Sequence, residues 1–313
     1  MMAAQINIYG GSEAVEINRN ASKPEIANGK ILVKIQAAGV NPADWKMRSG
    51  YFKDAVPLTF PATLGGDFSG VVIETGGSKN DFKIGDEVFG QASALAGDSG
   101  TFAEFAAVNT DTVAIKPKIL NHIEAAALPL AGGSAYQAII DHINLKNGQR
   151  VLIHGGAGGI GSFAIQIAKH IGSIVATTAG EADVDYARKL GADIVIDYKN
   201  EKFEDVVKDY DAVFDTVGGD TYKRSFAALK KGGVIVSMLE KADENLMKKY
   251  GVKAISQFTD VTVARLQGLA RLASEGALKI NVDKIFPLER AADALAFLET
   301  SHTRGKVVVE IKR

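Results

Sequence analysis

The stretch Val151-Leu152-Ile153-His154-Gly155-Gly156-Ala157-Gly158-Gly159-Ile160-Gly161 decides the fold. An apolar run ends in a glycine cluster, and a helical pattern carrying Ile165, Ile167 and Ala168 starts there. Gly156, Gly158 and Gly161 have the spacing G-x-G-x-x-G, in the setting the motif needs, with a strand before it and a helix after. The first glycine allows a tight turn, the second admits a pyrophosphate close to the backbone, and the third lets the helix pack on the sheet. The helix start presents unpaired N–H groups and a positive dipole end to phosphate. The reading is a dinucleotide site over Gly156, Ala157, Gly158, Gly159, Ile160 and Gly161. A purely structural glycine turn is the alternative.

The pattern continues downstream. Strand candidates at 174–178, 193–197, 211–215 and 233–237 alternate with helix candidates at 183–190, 202–208 and 221–229. That rhythm means βαβ units and a parallel sheet. A sixth strand is expected at 253–258. Upstream, residues 1 to about 118 read as short strands (31–37, 70–74, 83–89, 102–108) broken by Gly and Asp turns, which suggests a β barrel-like domain. Asn41, Pro42 and Asp44 form a helix-start signal within it. Helices at 263–275 and 288–298 precede a last strand at 306–311. Pattern alone leaves that strand free to close the first domain or to edge the parallel sheet.

The second strand of the nucleotide fold ends Ala176-Thr177-Thr178-Ala179-Gly180. An NAD site usually places Asp or Glu there to hold the ribose 2′-hydroxyl. Here Thr177 and Thr178 are neutral and do not repel a 2′-phosphate, so NADP is the expected cofactor. Glu181, which is able to fold back, is the reason NADH stays open.

Composition removes other chemistries. There are 313 residues, 36 Lys plus Arg, 37 Asp plus Glu, and a formal charge of -1. That balance argues against a nucleic-acid protein. Cysteine is absent, which excludes thiolate–zinc sites and disulfides. The five histidines form no ligand spacing such as H-E-x-x-H. His154, at the end of a buried strand, reads as structural. No G-x-S-x-G elbow occurs. Tyr186 and Tyr222 are followed at plus four by Leu190 and Phe226, so the Tyr-x-x-x-Lys of a short-chain reductase is missing. Hydride transfer by a bound cofactor is the chemistry left. No apolar run reaches the ~20 residues of a membrane span, and no signal-peptide pattern opens the chain, so a cytoplasmic protein without membrane partners is expected.

Ordered motifs then give a resemblance over nearly the whole chain. They are Gly39-Val40-Asn41-Pro42-Ala43-Asp44, Gly50-Tyr51-Phe52, Pro61 to Val72 with Gly65-Gly66-Asp67 inside it, and Gly85-Asp86-Glu87-Val88. Leu130 to Ala138, Asp215-Thr216-Val217-Gly218-Gly219, Gly232 to Ser237 and Arg304-Gly305-Lys306 continue the series. Together they resemble the zinc-independent quinone oxidoreductase (zeta-crystallin-like) branch of the medium-chain dehydrogenase/reductase superfamily. Zinc-bearing relatives have a Cys near the position of Asn41 and Gly-His-Glu where this chain has Gly65-Gly66-Asp67.

The resemblance implies an α/β chain of two lobes: a GroES-like β-rich catalytic domain and a Rossmann parallel-sheet nucleotide-binding domain. The expected boundaries are 1–120, 121–258 for the NADP-binding domain, and 259–313 returning to the catalytic domain. It implies metal-free, NADPH-dependent hydride transfer to quinones or α,β-unsaturated carbonyl compounds. The alternatives are an NADPH-binding structural or sensor protein with little turnover, or a zinc-free alcohol dehydrogenase. Asn41 is expected to hold the acceptor carbonyl or cap a helix, and Tyr51 to donate a proton or pack as a lid. Ser134, Tyr198, Val217, Gly218 and Ser237 are expected beside the cofactor, with Thr177 and Thr178. Arg304 and Lys306 are read as a solvated rim, with an approach to the cofactor phosphate as the alternative. The loop 92–99 is expected to shape the substrate pocket. A homodimer, joined near 254–258, is also implied.

Overall fold

The computed structural model describes residues 1–77, 81–92 and 97–311. Within the loop 92–99, Ser93, Ala94, Leu95 and Ala96 lie outside the described residues. The chain divides into two compact units. The first comprises Met1–Ala131, Val261–Ser274 and Lys279–Arg313, and the second Gly132–Asp260 with Glu275–Leu278. The observed breaks fall at 131/132 and 260/261, against 120/121 and 258/259 from sequence.

The first unit holds β1 (Ala3–Ile6), β2 (Val15–Asn18), β3 (Lys30–Val40), β4 (Ala62–Thr63), β5 (Asp67–Thr75), β6 (Glu87–Gln91), β7 (Phe105–Asn109) and β8 (Val113–Ile115). The second holds β9 (Arg150–Ile153), β10 (Ile174–Ala179), β11 (Ile194–Asp197), β12 (Tyr210–Asp215), β13 (Leu229–Ser237) and β14 (Lys253–Ser256). The chain then returns to the first unit with β15 (Val282–Pro287) and β16 (Lys306–Glu310).

In the first unit the main sheet runs β15-β16-β3-β5-β6-β8, and β7 also pairs with β3. The last strand therefore joins the β-rich unit. β16 lies antiparallel to β3, with Val307 opposite Val40 and Val308 opposite Gly39. Ile31, Val33 and Ile35 of β3 enter the core with Phe68, Val72, Val88 and Val309. Burying one such side chain stabilises by about 1.5–3 kcal/mol. The pairing with β5 shifts register between Ile35 and Ala37. Such a bulge moves the inward alternation by one residue. Ala38 and Val40 consequently reach the same core, and β3 delivers Asn41 to the start of the helix Pro42–Arg48. Gly39 is required here, because a Cβ would lie 2.3 Å from the Ala126 carbonyl oxygen.

The second unit is one parallel sheet, β11-β10-β9-β12-β13-β14. Order reverses at β9, the topological switch point outside which such sheets bind ligands. The helix Gly159–Ile171 begins beyond the turn after β9 and buries Phe163, Ile165 and Ile167. It ends at Gly172, whose φ of +90° suits glycine. Sequence patterning missed β1, β2, β4, β8, β15 and the helices His122–Ala126 and Glu244–Tyr250.

Candidate cofactor and substrate site

The chain leaves β9 at Ile153 and turns at once. Gly155 has φ +69°, a left-handed conformation that L side chains rarely adopt. A Cβ on Gly156 would lie 2.1 Å from Thr177 Oγ1, and one on Gly161 would lie 2.2 Å from the Gly155 carbonyl oxygen. Both glycines are thus demanded by packing within the unit. Gly158 differs. Its φ of −73° and ψ of 177° are extended backbone, and an added Cβ would meet only the Gly155 oxygen, at 3.4 Å. The fold itself does not require glycine at 158, whereas a phosphate approaching the backbone does. The first-turn N–H groups of Gly159, Ile160 and Gly161 have no intrahelical acceptors. This half-open turn fits the pyrophosphate of a dinucleotide.

Thr177 and Thr178 are buried and are spent on the turn. Thr177 Oγ1 donates to the Ile153 oxygen at 2.6 Å. Thr178 Oγ1 accepts from Gly155 N at 3.2 Å and contacts His154 Nδ1 at 3.1 Å, while its carbonyl accepts from Gly156 N at 3.0 Å. Their side chains brace the glycine turn from behind. Gly180 stands directly after β10, and the Tyr198 ring lies 3.8 Å from the position of its missing Cβ. Tyr198 is exposed, and its N–H donates to the Ala179 oxygen. No carboxylate ends β10; Glu181 lies one residue past Gly180, in a short helical turn.

Val217, Gly218 and Ser237 are tied together by Asp215, at the end of β12, a residue whose role the sequence does not reveal. Its Oδ1 accepts from Val217 N at 3.0 Å and Gly218 N at 2.9 Å, and its Oδ2 accepts from Ser237 Oγ at 2.7 Å. Ser237 Oγ in turn accepts from Leu239 N and Glu240 N. Asp215 therefore shapes the loops after both β12 and β13, leaving Val217 exposed. A buried carboxylate with three donors is satisfied in place. Ser134 is buried, with Oγ 2.6 Å from Thr259 Oγ1.

In the first unit, Asn41 lies in a buried charge cluster. Its Nδ2 donates to Asp67 Oδ2 at 2.9 Å, and its Oδ1 accepts from Lys306 Nζ at 2.5 Å. Lys306 Nζ also donates to the Val40 oxygen at 2.8 Å. Asp67 accepts from Leu130 N at 3.0 and 3.1 Å and from Gln91 Nε2 at 3.3 Å. Asn41 N donates to Asp44 Oδ2 at 2.7 Å, the capping arrangement expected of the helix start. Burial pushes the Asp44 carboxyl up to about 7, with the Asp67 charge adding to the effect. Desolvation also raises Asp67, against Lys306, and lowers Lys306, against both carboxylates. Lys306 is 4% exposed, so the solvated-rim reading was wrong: β16 turns this side chain inward, where its charge is matched by Asp67. No alternation rule reveals that, since the strand is buried on both faces. Tyr51 is 72% exposed, edge-on to Phe52 at 5.0 Å, with Lys46 Nζ 5.5 Å from its ring centre.

Among the described residues, no group of three or more His, Asp and Glu side chains is placed to hold a metal ion. No helix among them is long and apolar enough to cross a membrane.

A parallel-sheet nucleotide unit with a glycine turn, joined to a β-rich unit closed by the last strand, defines the medium-chain dehydrogenase scaffold. Residues 27–118 match the family described as alcohol dehydrogenase GroES-like domain, and residues 190–309 that described as zinc-binding dehydrogenase. The chain is 37% identical to the NADPH-dependent alkenal/one oxidoreductase of Arabidopsis thaliana chloroplasts, over 96% of this chain and 77% of that protein. The structure of the Coxiella burnetii quinone oxidoreductase superposes with a TM-score of 0.91 at 36% identity, covering 100% and 99% of the two chains. The Escherichia coli quinone oxidoreductase, solved with NADPH, gives 0.88 at 26% identity, covering 99% and 100%. This chain belongs to the zinc-independent quinone oxidoreductase branch of the medium-chain dehydrogenase/reductase superfamily.

Proposed function

We propose that this protein reduces quinones or α,β-unsaturated carbonyl compounds with NADPH and without a metal. The observation that carries the reading is the turn at Gly158, open to a ligand and formed by residues that pack only behind it. The similarity to an NADPH-dependent alkenal/one oxidoreductase and to quinone oxidoreductases sets the acceptor class. When bound, NADPH supplies the hydride.

The chain's own residues do the rest. The turn from Gly156 to Gly161 holds the pyrophosphate, through the backbone N–H groups of Gly159, Ile160 and Gly161, and Ser134, Tyr198, Val217 and Gly218 line the remaining cofactor. Asp215 holds the Val217–Gly218 turn in shape, with Ser237 as its partner. Lys306 and Asp67 fix the Asn41 carboxamide with oxygen toward the ammonium and nitrogen toward the carboxylate. One Nδ2–H of Asn41 remains to polarise the acceptor carbonyl, stabilising charge as it develops on oxygen. Tyr51 delivers the proton that completes the two-electron reduction. An enone gains hydride at its β-carbon and a proton at its α-carbon. A quinone gains hydride and a proton to give the hydroquinone.

The protein acts as a cytoplasmic homodimer in this reading. β14 is the outer strand of the parallel sheet, with unpaired backbone groups of the kind that join copies, and Phe258 beside it is 79% exposed. Light scattering during gel filtration measures that state. The function is tested by following NADPH loss and product together. One saturated ketone or hydroquinone per NADPH consumed supports it. NADPH loss without reduced product, or none with any conjugated acceptor, overturns it.

A further inference from the structure

His154 is fully buried, and both of its ring nitrogens are engaged. Ser225 Oγ donates to the Thr221 oxygen at 2.6 Å, so the proton of that hydroxyl is committed. His154 Nε2 lies 2.9 Å from Ser225 Oγ and must therefore donate to it. Nδ1 is then the bare nitrogen. It accepts from Thr178 Oγ1 at 3.1 Å, and the Thr178 oxygen is left to accept from Gly155 N at 3.2 Å. The chain of bonds has one direction: Gly155 N–H to Thr178, Thr178 O–H to His154, His154 Nε2–H to Ser225, Ser225 O–H to the Thr221 carbonyl. The buried Phe203 ring packs on the imidazole in a T-shaped contact, with ring centres 4.7 Å apart.

We infer that His154 is a positioning residue for the dinucleotide: by fixing the direction of the Thr178 hydroxyl it sets the Gly155 turn and so the aim of the N–H groups from Gly159 to Gly161. This rests on the cofactor reading above. Two further bonds hold the same point of the backbone, since His154 N donates to the Phe214 oxygen at 2.9 Å and its carbonyl accepts from Thr216 Oγ1 at 2.8 Å. The backbone of β9 is thus anchored without the imidazole. What the imidazole adds is a fixed acceptor for Gly155 N, at the one residue of the turn with φ +69°. Burial and the nearby Arg224 charge hold the ring neutral, with its acid constant pushed down to about 3. The direction of the relay is accordingly the same throughout the working pH range.

The test uses the full-length protein and NADPH itself. Thr178→Val keeps the shape and removes the hydroxyl, and His154→Leu removes the acceptor behind it. Both are expected to raise the Kd for NADPH about tenfold or more, the scale of one hydrogen bond lost behind the turn. KM for NADPH rises with Kd, whereas kcat at saturating cofactor and KM for the acceptor move less than threefold. Thr178→Ser and His154→Asn, which restore a hydroxyl and an Nδ1-like acceptor, recover most of the affinity. In the wild-type protein, nitrogen NMR should show His154 as the Nε2–H tautomer. If His154→Leu does not fold, the Thr178→Val and Thr178→Ser pair decides alone. Wild-type affinity for NADPH in folded Thr178→Val, or an Nδ1–H tautomer, overturns the inference. Absence of NADPH binding by the wild type instead overturns the cofactor reading.

Discussion

The ammonium of Lys306, on the last strand, donates a hydrogen bond to the carboxamide oxygen of Asn41, 265 residues earlier. The antiparallel pairing of β16 with β3 brings the two together, because Val307 sits opposite Val40. Asp67 takes the other end of the same carboxamide. A buried lysine and a buried aspartate thus define which way the amide faces, and each compensates the charge of the other.

Removing one of these charges should be costly. Lys306→Met leaves the Asp67 carboxylate buried without its cation, and the expected loss of stability is about 3–5 kcal/mol. The double variant Lys306→Met/Asp67→Asn should regain much of it. Chemical denaturation of the two variants against wild type checks this. Equal stability of wild type and Lys306→Met would show that Asp67 is protonated in the folded protein.

Asp44 gives the fold a pH signature. Its folded-state constant of about 7 lies above its ordinary 3.8. Between those values the folded protein holds a proton that the unfolded chain has released, so this group makes stability fall as pH rises from about 4 to 7. His154, depressed to about 3, contributes the opposite slope between about 3 and 6.5. Asp44→Asn removes only the first effect. The variant should therefore gain stability relative to wild type as pH rises through this window, by an amount on the order of a few kcal/mol. Denaturant melts at pH 5 and 8.5 measure it; a constant difference would refute it.

The glycines of the turn should separate by phenotype. Gly156→Val collides with Thr177 inside the unit and is expected to unfold it or lower its melting temperature sharply. Gly158→Val has room in the protein and should melt near wild type, yet lose NADPH binding by about a hundredfold, because the new side chain occupies the phosphate approach. Calorimetric titration beside thermal melts distinguishes the two. Unchanged NADPH affinity in Gly158→Val would remove the pyrophosphate from this turn.

Tyr51→Phe keeps the ring against Phe52 and deletes only the hydroxyl. If the hydroxyl supplies the proton, kcat should fall by roughly 10²-fold or more, with NADPH affinity unaltered. Wild-type kcat would leave the ring as a packing group and pass the proton to solvent.

The parallel sheet was legible because its strands are apolar runs separated by helices, and β10, β11 and β12 lie within a residue or two of their predicted spans. The glycine turn was legible because two of its glycines answer to sterics that any residue with a Cβ would violate. The roles of Thr177 and Thr178 were not. A hydroxyl reads the same in sequence whether it faces a ligand or, as here, the Ile153 and Gly155 backbone. Lys306 was misread for a related reason: a lysine in a strand is normally solvent-facing, and only the pairing with β3 shows that this one meets Val40 and Asn41. Short strands such as Ala62–Thr63 carry too few residues for periodicity to register.

The most direct measurement is the initial rate of NADPH and NADH oxidation by metal-stripped protein, across one panel of ortho-quinones, para-quinones and short and long enones. The account predicts turnover of a conjugated acceptor, faster with NADPH than with NADH and unaffected by chelator. Preference for NADH would mean that Glu181 folds back to the ribose, and no oxidation of either cofactor would contradict the reductase assignment itself.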